Sequence, residues 1–205
     1  MATTARGIVD GPNLAAIERL YRGPLPIDVA VAVAADVADA LAYVHAATSP
    51  AGEPLALVHR DIAASNVLVS RDGDVKLTDF GVVKLPKRSA FLSSASTAGG
   101  VLKGHLATMA PEIVRGTSVD ARADLYSLAV VLWEAIEGAK MFDGTPLELV
   151  EKIVNDAPPS MERTIDPSLR ALIESALAKD PTQRPATATA FRDALRSFAP
   201  ASRDR

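Results

Sequence analysis

Asp61, Asn66 and Asp79 are oxygen-bearing side chains gathered around one short stretch of this 205-residue sequence. Residues 66–69 and 74–78 are runs rich in strand formers on either side of Arg71-Asp72-Gly73, which predicts a small hairpin. His59-Arg60-Asp61 and Asn66 stand just before its first strand, and Asp79-Phe80-Gly81 follows its second. The chain has no cysteine, and its three histidines are dispersed, so disulfides, thiolate metal sites and histidine clusters are excluded. Any metal bound here must be held by oxygen, which suits a hard cation.

The elements around this stretch are mainly helical. A short helix is expected around Leu14 to Tyr21, followed by the break at Pro24-Leu25-Pro26. Val29, Val33, Val37, Leu41 and Val44 recur at helical spacing across Ile27 to Ala47, with Asp28, Asp36 and Asp39 available for the wet side. Residues 82–108 carry serines, glycines and no sustained periodicity, and read as a long loop. Helices are then expected at Ala123 to Glu137, Pro146 to Asn155, Pro167 to Lys179 and Thr187 to Phe198, with a tail from Ala199. Thr145-Pro146-Leu147-Glu148 spells a capping box with proline at the first helical position, and Asp166-Pro167 opens the next helix similarly.

The composition is that of a globular domain, 48% hydrophobic and 23% charged. A net charge of -3 gives no overall basic field, so nucleic acid is not indicated as a partner. No apolar run approaches the roughly 20 residues that span a bilayer, and residues 1–7 lack a signal-peptide core, so a cytoplasmic location is expected.

The order and context of these residues resemble the eukaryotic-type protein kinases. His59-Arg60-Asp61 with Asn66 is similar to that family's catalytic loop, and Asp79-Phe80-Gly81 to its magnesium-binding loop. Ala110-Pro111-Glu112 resembles its APE motif, Asp124 its central-helix aspartate, and Arg184 the late arginine that pairs with the APE glutamate. The resemblance implies a mainly α, protein-kinase-like C-terminal lobe with a small β-hairpin, residues 1–198, and a tail, residues 199–205. It implies ATP and Mg2+ as cofactors and transfer of the γ-phosphate to hydroxyls of a protein substrate. Asp61 is then the candidate base, Asn66 and Asp79 the metal ligands, and Leu68 part of the adenine floor. His59 and Phe80 are expected to stack, Asp124 to accept hydrogen bonds from the catalytic-loop backbone, and Glu112 and Arg184 to form a buried ion pair. Arg60 and Lys84 would contact a phosphorylated loop, with Ser93, Ser94, Ser96 and Thr97 as acceptors.

The sequence also departs from that pattern. Ala63 stands where serine/threonine kinases usually have lysine, and a protonated His105 is a candidate partial replacement. Ala63-Ala64-Ser65 resembles the spelling in tyrosine kinases without its arginine, whereas residues 103–109 look more like bacterial serine/threonine kinases. Nothing before Asp61 reads as a glycine-rich loop or a strand lysine, and Ile8-Val9-Asp10-Gly11 resembles the end of the hinge. The expectation is therefore that the N-terminal β lobe is absent, to be supplied by missing sequence or by a partner, and that the isolated chain is weakly active or inactive. The alternative is a non-catalytic, kinase-derived protein-interaction module.

Overall fold

The structure, a computed structural model, describes residues 10–80 and 105–199. Among these, helices α1 (Leu14–Tyr21) and α2 (Ile27–His45) precede a hairpin of β1 (Val67–Val69) and β2 (Val75–Leu77). Five helices follow: α3 (Pro111–Arg115), α4 (Arg122–Glu137), α5 (Pro146–Asn155), α6 (Pro167–Ala176) and α7 (Ala188–Arg196). The described part is thus mainly helical with one two-stranded sheet, as expected from the sequence.

The centre is α4, on which every residue from Ala123 to Ile136 is buried. Such a helix must be wrapped on all sides, and α2, α6 and α7 pack against it. Gly138 ends it with a positive φ of 68°, and a Cβ there would lie 2.6 Å from the Pro24 backbone nitrogen, so only glycine fits.

Helix α2 buries most of the stripe read from the sequence: Val37 and Leu41 lie in the core, Val33 packs against it and Val44 is half-buried. Its buried face carries Ala30, Val31, Ala34, Ala35, Val37, Ala38 and Leu41, while Val29 is 44% exposed. The alanines widen the buried face around this stripe and allow close approach to α4 and α7, leaving Val29 at its edge. Asp39, at the edge of the contact with α7, pairs with Arg192 of that helix at 2.6 Å.

The local start signals behave as their chemistry dictates. The Thr145 hydroxyl accepts from the Glu148 amide while the Glu148 carboxylate accepts from the Thr145 amide, closing the capping box. Asp166 caps α6 through the amides of Ser168 and Leu169. Helix ends are less faithful: α2 stops at His45 and α6 at Ala176, two and three residues before the expected positions. The short α3, with Pro111 at its start and Gly116 in the left-handed region at its end, is too brief to show a periodicity in sequence. Residues 105–107 are helical although the sequence reads as loop there, and the rest of that stretch up to residue 104 lies outside the described residues.

The hairpin pairs Val67 with Leu77, Leu68 with Lys76 and Val69 with Val75. Residues 10–13 run along the other side of β1, where the Val69 amide donates to the Pro12 carbonyl at 3.0 Å and the Arg71 amide to the Asp10 carbonyl at 3.2 Å. Leu68 is therefore held between Asn13 and Lys76.

Candidate active site

The catalytic-loop residues hang on the buried α4 carboxylate. Asp124 is fully buried, and its oxygens accept from the backbone amides of His59 and Arg60, each at 2.8 Å. His45, the last residue of α2, adds a third hydrogen bond through Nε2 at 2.8 Å. One carboxylate with several fixed donors pins the loop to the core. Arg60 keeps a φ of 66°, a left-handed conformation that costs a non-glycine residue about 1–3 kcal/mol and persists only where surroundings over-determine it. Sequence reasoning misses His45, because a lone histidine at a helix end reads as an ordinary C-terminal charge.

From this anchor the chain turns through Asp61 into a short 3-10 turn, Ala64–Asn66, that leads into β1. The Asn66 side-chain amide donates to the Asp61 carbonyl at 2.9 Å and to Asp61 Oδ2 at 3.0 Å. Both amide protons are thereby used towards Asp61, and Asn66 Oδ1, which accepts only a long contact of 3.5 Å from the Ser65 hydroxyl, keeps a lone pair for a ligand. Asp79 sits just beyond β2 at a φ of 56°, exposed, with the Thr78 hydroxyl 3.4 Å from one carboxylate oxygen. An amide oxygen and a carboxylate presented this way are hard donors that fit Mg2+, which keeps waters and takes its remaining ligands from phosphate.

His105 closes the site from the far side of the chain. Its Nδ1 lies 2.5 Å from Asp61 Oδ1, and its Nε2 lies 3.2 Å from the Ser65 hydroxyl. Burial works to raise the Asp61 pKa, but hydrogen bonds from His105 and Asn66 and the charge of His105 outweigh it and hold the carboxyl below its ordinary value. His105 moves the opposite way: the hydrogen bond to Asp61 raises its pKa against the effect of burial. His59 is buried, which lowers its pKa, and its ring lies 4.5 Å from that of Phe80 at a tilt of 52°. Phe80 itself is 47% exposed.

Glu112 on α3 meets Arg184 in a bidentate pair of 2.6 and 2.8 Å, with both residues buried. Gly81 and Lys84, together with Ser93, Ser94, Ser96 and Thr97, lie outside the described residues.

A cavity of about 740 Å3 adjoins the catalytic loop, and Ser65, His105, Thr108, Glu18, Glu134 and Lys140 are among the residues that line it. Lys140 Nζ lies 2.6 Å from Glu134 Oε2. Glu18 has one buried carboxylate oxygen without a partner, and burial pushes its pKa from 4.5 to about 7, with Lys140 opposing and Glu134 adding to the rise. A carboxyl whose pKa is raised on folding gives stability that is complete below its unfolded value and lost as pH rises through about 7. Glu18→Gln removes that loss. In melting curves, the variant is expected to match the parent near about pH 4 and to exceed it by a few degrees near about pH 8.

A family model described as the protein kinase domain matches residues 7–195, and the chain belongs to this family. It is 36% identical over 190 residues to MasK of Myxococcus xanthus, named a tyrosine-protein kinase, covering 91% of this chain and 28% of that protein. It is 35% identical over 184 residues to the serine/threonine-protein kinase PknL of Mycobacterium tuberculosis, covering 88% of this chain and 43% of PknL. The kinase domain of PknI from Mycobacterium tuberculosis matches with a TM-score of 0.65 at 27% identity, over 93% of this chain and 62% of that domain. The chain therefore spans less than two thirds of each of these relatives. Among the described residues no helix is long and apolar enough to cross a membrane.

Proposed function

We propose that this chain carries the substrate-side half of a cytoplasmic protein kinase that transfers the γ-phosphate of ATP to serine or threonine hydroxyls of proteins. The observation that supports it most is the hydrogen-bonded unit of Asp61 and Asn66, joined at 2.9 and 3.0 Å beside the exposed Asp79 carboxylate. Residues 1–198 form the kinase unit in this reading, and residues 199–205 its tail. Serine/threonine specificity is favoured by relatives such as PknL, which is named for it.

Asp61 is the base: it orients the acceptor hydroxyl and takes its proton as the oxygen bonds to the γ-phosphorus and the bond from that phosphorus to the bridging oxygen breaks, releasing ADP. Asn66 and Asp79 would hold Mg2+, which neutralises charge on the phosphates. Leu68, fixed between two neighbouring segments, offers an apolar floor for adenine. Asp124 and His45 keep the loop in place, since a misplacement of about 1 Å can cost roughly 100-fold in rate.

The test is nuclear magnetic resonance of the 205-residue chain titrated with Mg2+ and ATP. Magnesium-dependent shifts are expected at Leu68, Asn66 and Asp79, and Asn66→Ala and Asp79→Ala should each weaken them severalfold. Absence of these shifts in the unmodified chain at millimolar nucleotide would reject the nucleotide site.

A further inference from the structure

The proposed transfer brings an anionic phosphoryl group up to the anionic Asp61, with the Asp79 carboxylate nearby. Like charges gathered in a partly dehydrated site repel, so such a reaction requires fixed positive charge at the point of approach. Arg60 is the permanent cation of this loop, but among the described residues it makes no ion pair with Asp61, and the rest of the loop has little to offer there. Ala63 and Ala64 are uncharged, Asn66 is neutral, and burial favours the neutral form of His59. Among the described residues, no lysine or arginine forms an ion pair with Asp61, whereas His105 does.

The geometry makes His105 a held group rather than a passing contact. It bonds Asp61 through Oδ1, the oxygen opposite the one taken by Asn66, so the two partners clamp the carboxylate from both sides. The Ser65 hydroxyl at 3.2 Å fixes the other ring nitrogen. The ring is mostly enclosed, at 20% side-chain exposure, but stands on the wall of the 740 Å3 cavity. We infer that His105 is a positioning residue of the proposed phosphoryl transfer, a protonated imidazole that clamps Asp61 and offsets the repulsion between that carboxylate and the incoming phosphate.

This inference rests on the proposed kinase reading. The charged groups acting on His105 are Asp61 and Asp79, and Glu18, Arg19, Arg22, Glu134 and Lys140 line the same cavity. Its pKa lies above the ordinary 6.5, raised first by the hydrogen bond to Asp61, so the charge persists past that value and is lost as pH rises through the shifted one.

The experiment measures the affinity of the 205-residue chain for Mg2+ and ATP by resonance shifts at Asn66 and Asp79, in the parent, His105→Gln and His105→Lys. Glutamine keeps a hydrogen-bond donor without charge, and lysine keeps the charge without the ring. The parent is expected to weaken about tenfold as pH rises through the His105 pKa, an effect the size of one screened charge contact. His105→Gln should show the weaker affinity at all pH values, and His105→Lys should stay tight across the range. Melting curves identify any variant that fails to fold. If His105→Gln binds like the parent and the parent shows no pH dependence while the Asn66 and Asp79 shifts persist, His105 is only a spacer and the inference is overturned. If no variant or parent shows those shifts, the nucleotide reading itself falls and takes this inference with it.

Discussion

Glu112→Ala is expected to destabilise the protein by about 3–5 kcal/mol, the typical cost of stranding one partner of a buried ion pair. For a chain of this size that corresponds to a fall in melting temperature of roughly 6–20 °C. The size follows from what Arg184 would be left with. Its side chain has no exposure, and its guanidinium donates to both Glu112 oxygens and to the carbonyls of Ala178, Lys179 and Arg122. The guanidinium also lies 4.9 Å from the centre of the Tyr126 ring. Removing Glu112 leaves that charge without water and without an anion, and it detaches α3 from the segment before α7. Glu112→Gln, which still accepts a hydrogen bond, should lose less. A melting temperature within about 2 °C of the parent for Glu112→Ala would show that the pair is open to solvent, since exposed pairs contribute about 0–1 kcal/mol.

Asp61→Asn is expected to lower kcat for phosphoryl transfer by about 100- to 10,000-fold, the usual contribution of a positioned base. The measurement uses the chain fused at Ile8 to the N-terminal lobe of a relative, so that the phosphates are covered and the rate is measurable. Asparagine can still accept from Asn66, so the loop should remain folded and the KM for ATP should change little. What it lacks is the negative charge that draws the hydroxyl proton and pairs with His105. A variant within a few-fold of the parent rate would remove Asp61 from the role of base. Asp124→Asn in the same fusion separates anchoring from chemistry, because among the described residues the side-chain hydrogen bonds of Asp124 go to the loop backbone and His45.

The helix starts at Leu14, Pro146 and Pro167, the hairpin around Arg71-Asp72-Gly73 and the stop at Gly138 are legible in the sequence, because each follows from residues within a few positions of one another. A threonine side chain three residues from a glutamate, or a glycine free to adopt positive φ, settles such features locally. The order of His59-Arg60-Asp61, Asn66, Asp79-Phe80-Gly81 and Ala110-Pro111-Glu112 also carries the family, because each group has a defined place relative to the hairpin.

Other features have no local signal. The full width of the buried face of α2 is not read from its valines alone, since Ala30, Ala34, Ala35 and Ala38 join Val37 and Leu41 in the core where α4 and α7 approach. His45 reaches Asp124 across 79 residues, and Glu18 lines one cavity with Ser65 because α1 packs against the turn Ala64–Asn66. The pairing of His105 with Asp61 spans 44 residues and exists only once the chain has folded. Element starts, turn chemistry and the kinase family are thus written in the order of the residues, because they depend on neighbours along the chain. Which histidines meet Asp61 and Asp124, and which carboxyls lose their water, is decided by packing, because burial and ion pairing depend on distance in space, and distant residues are brought together only when the α4 core closes around them.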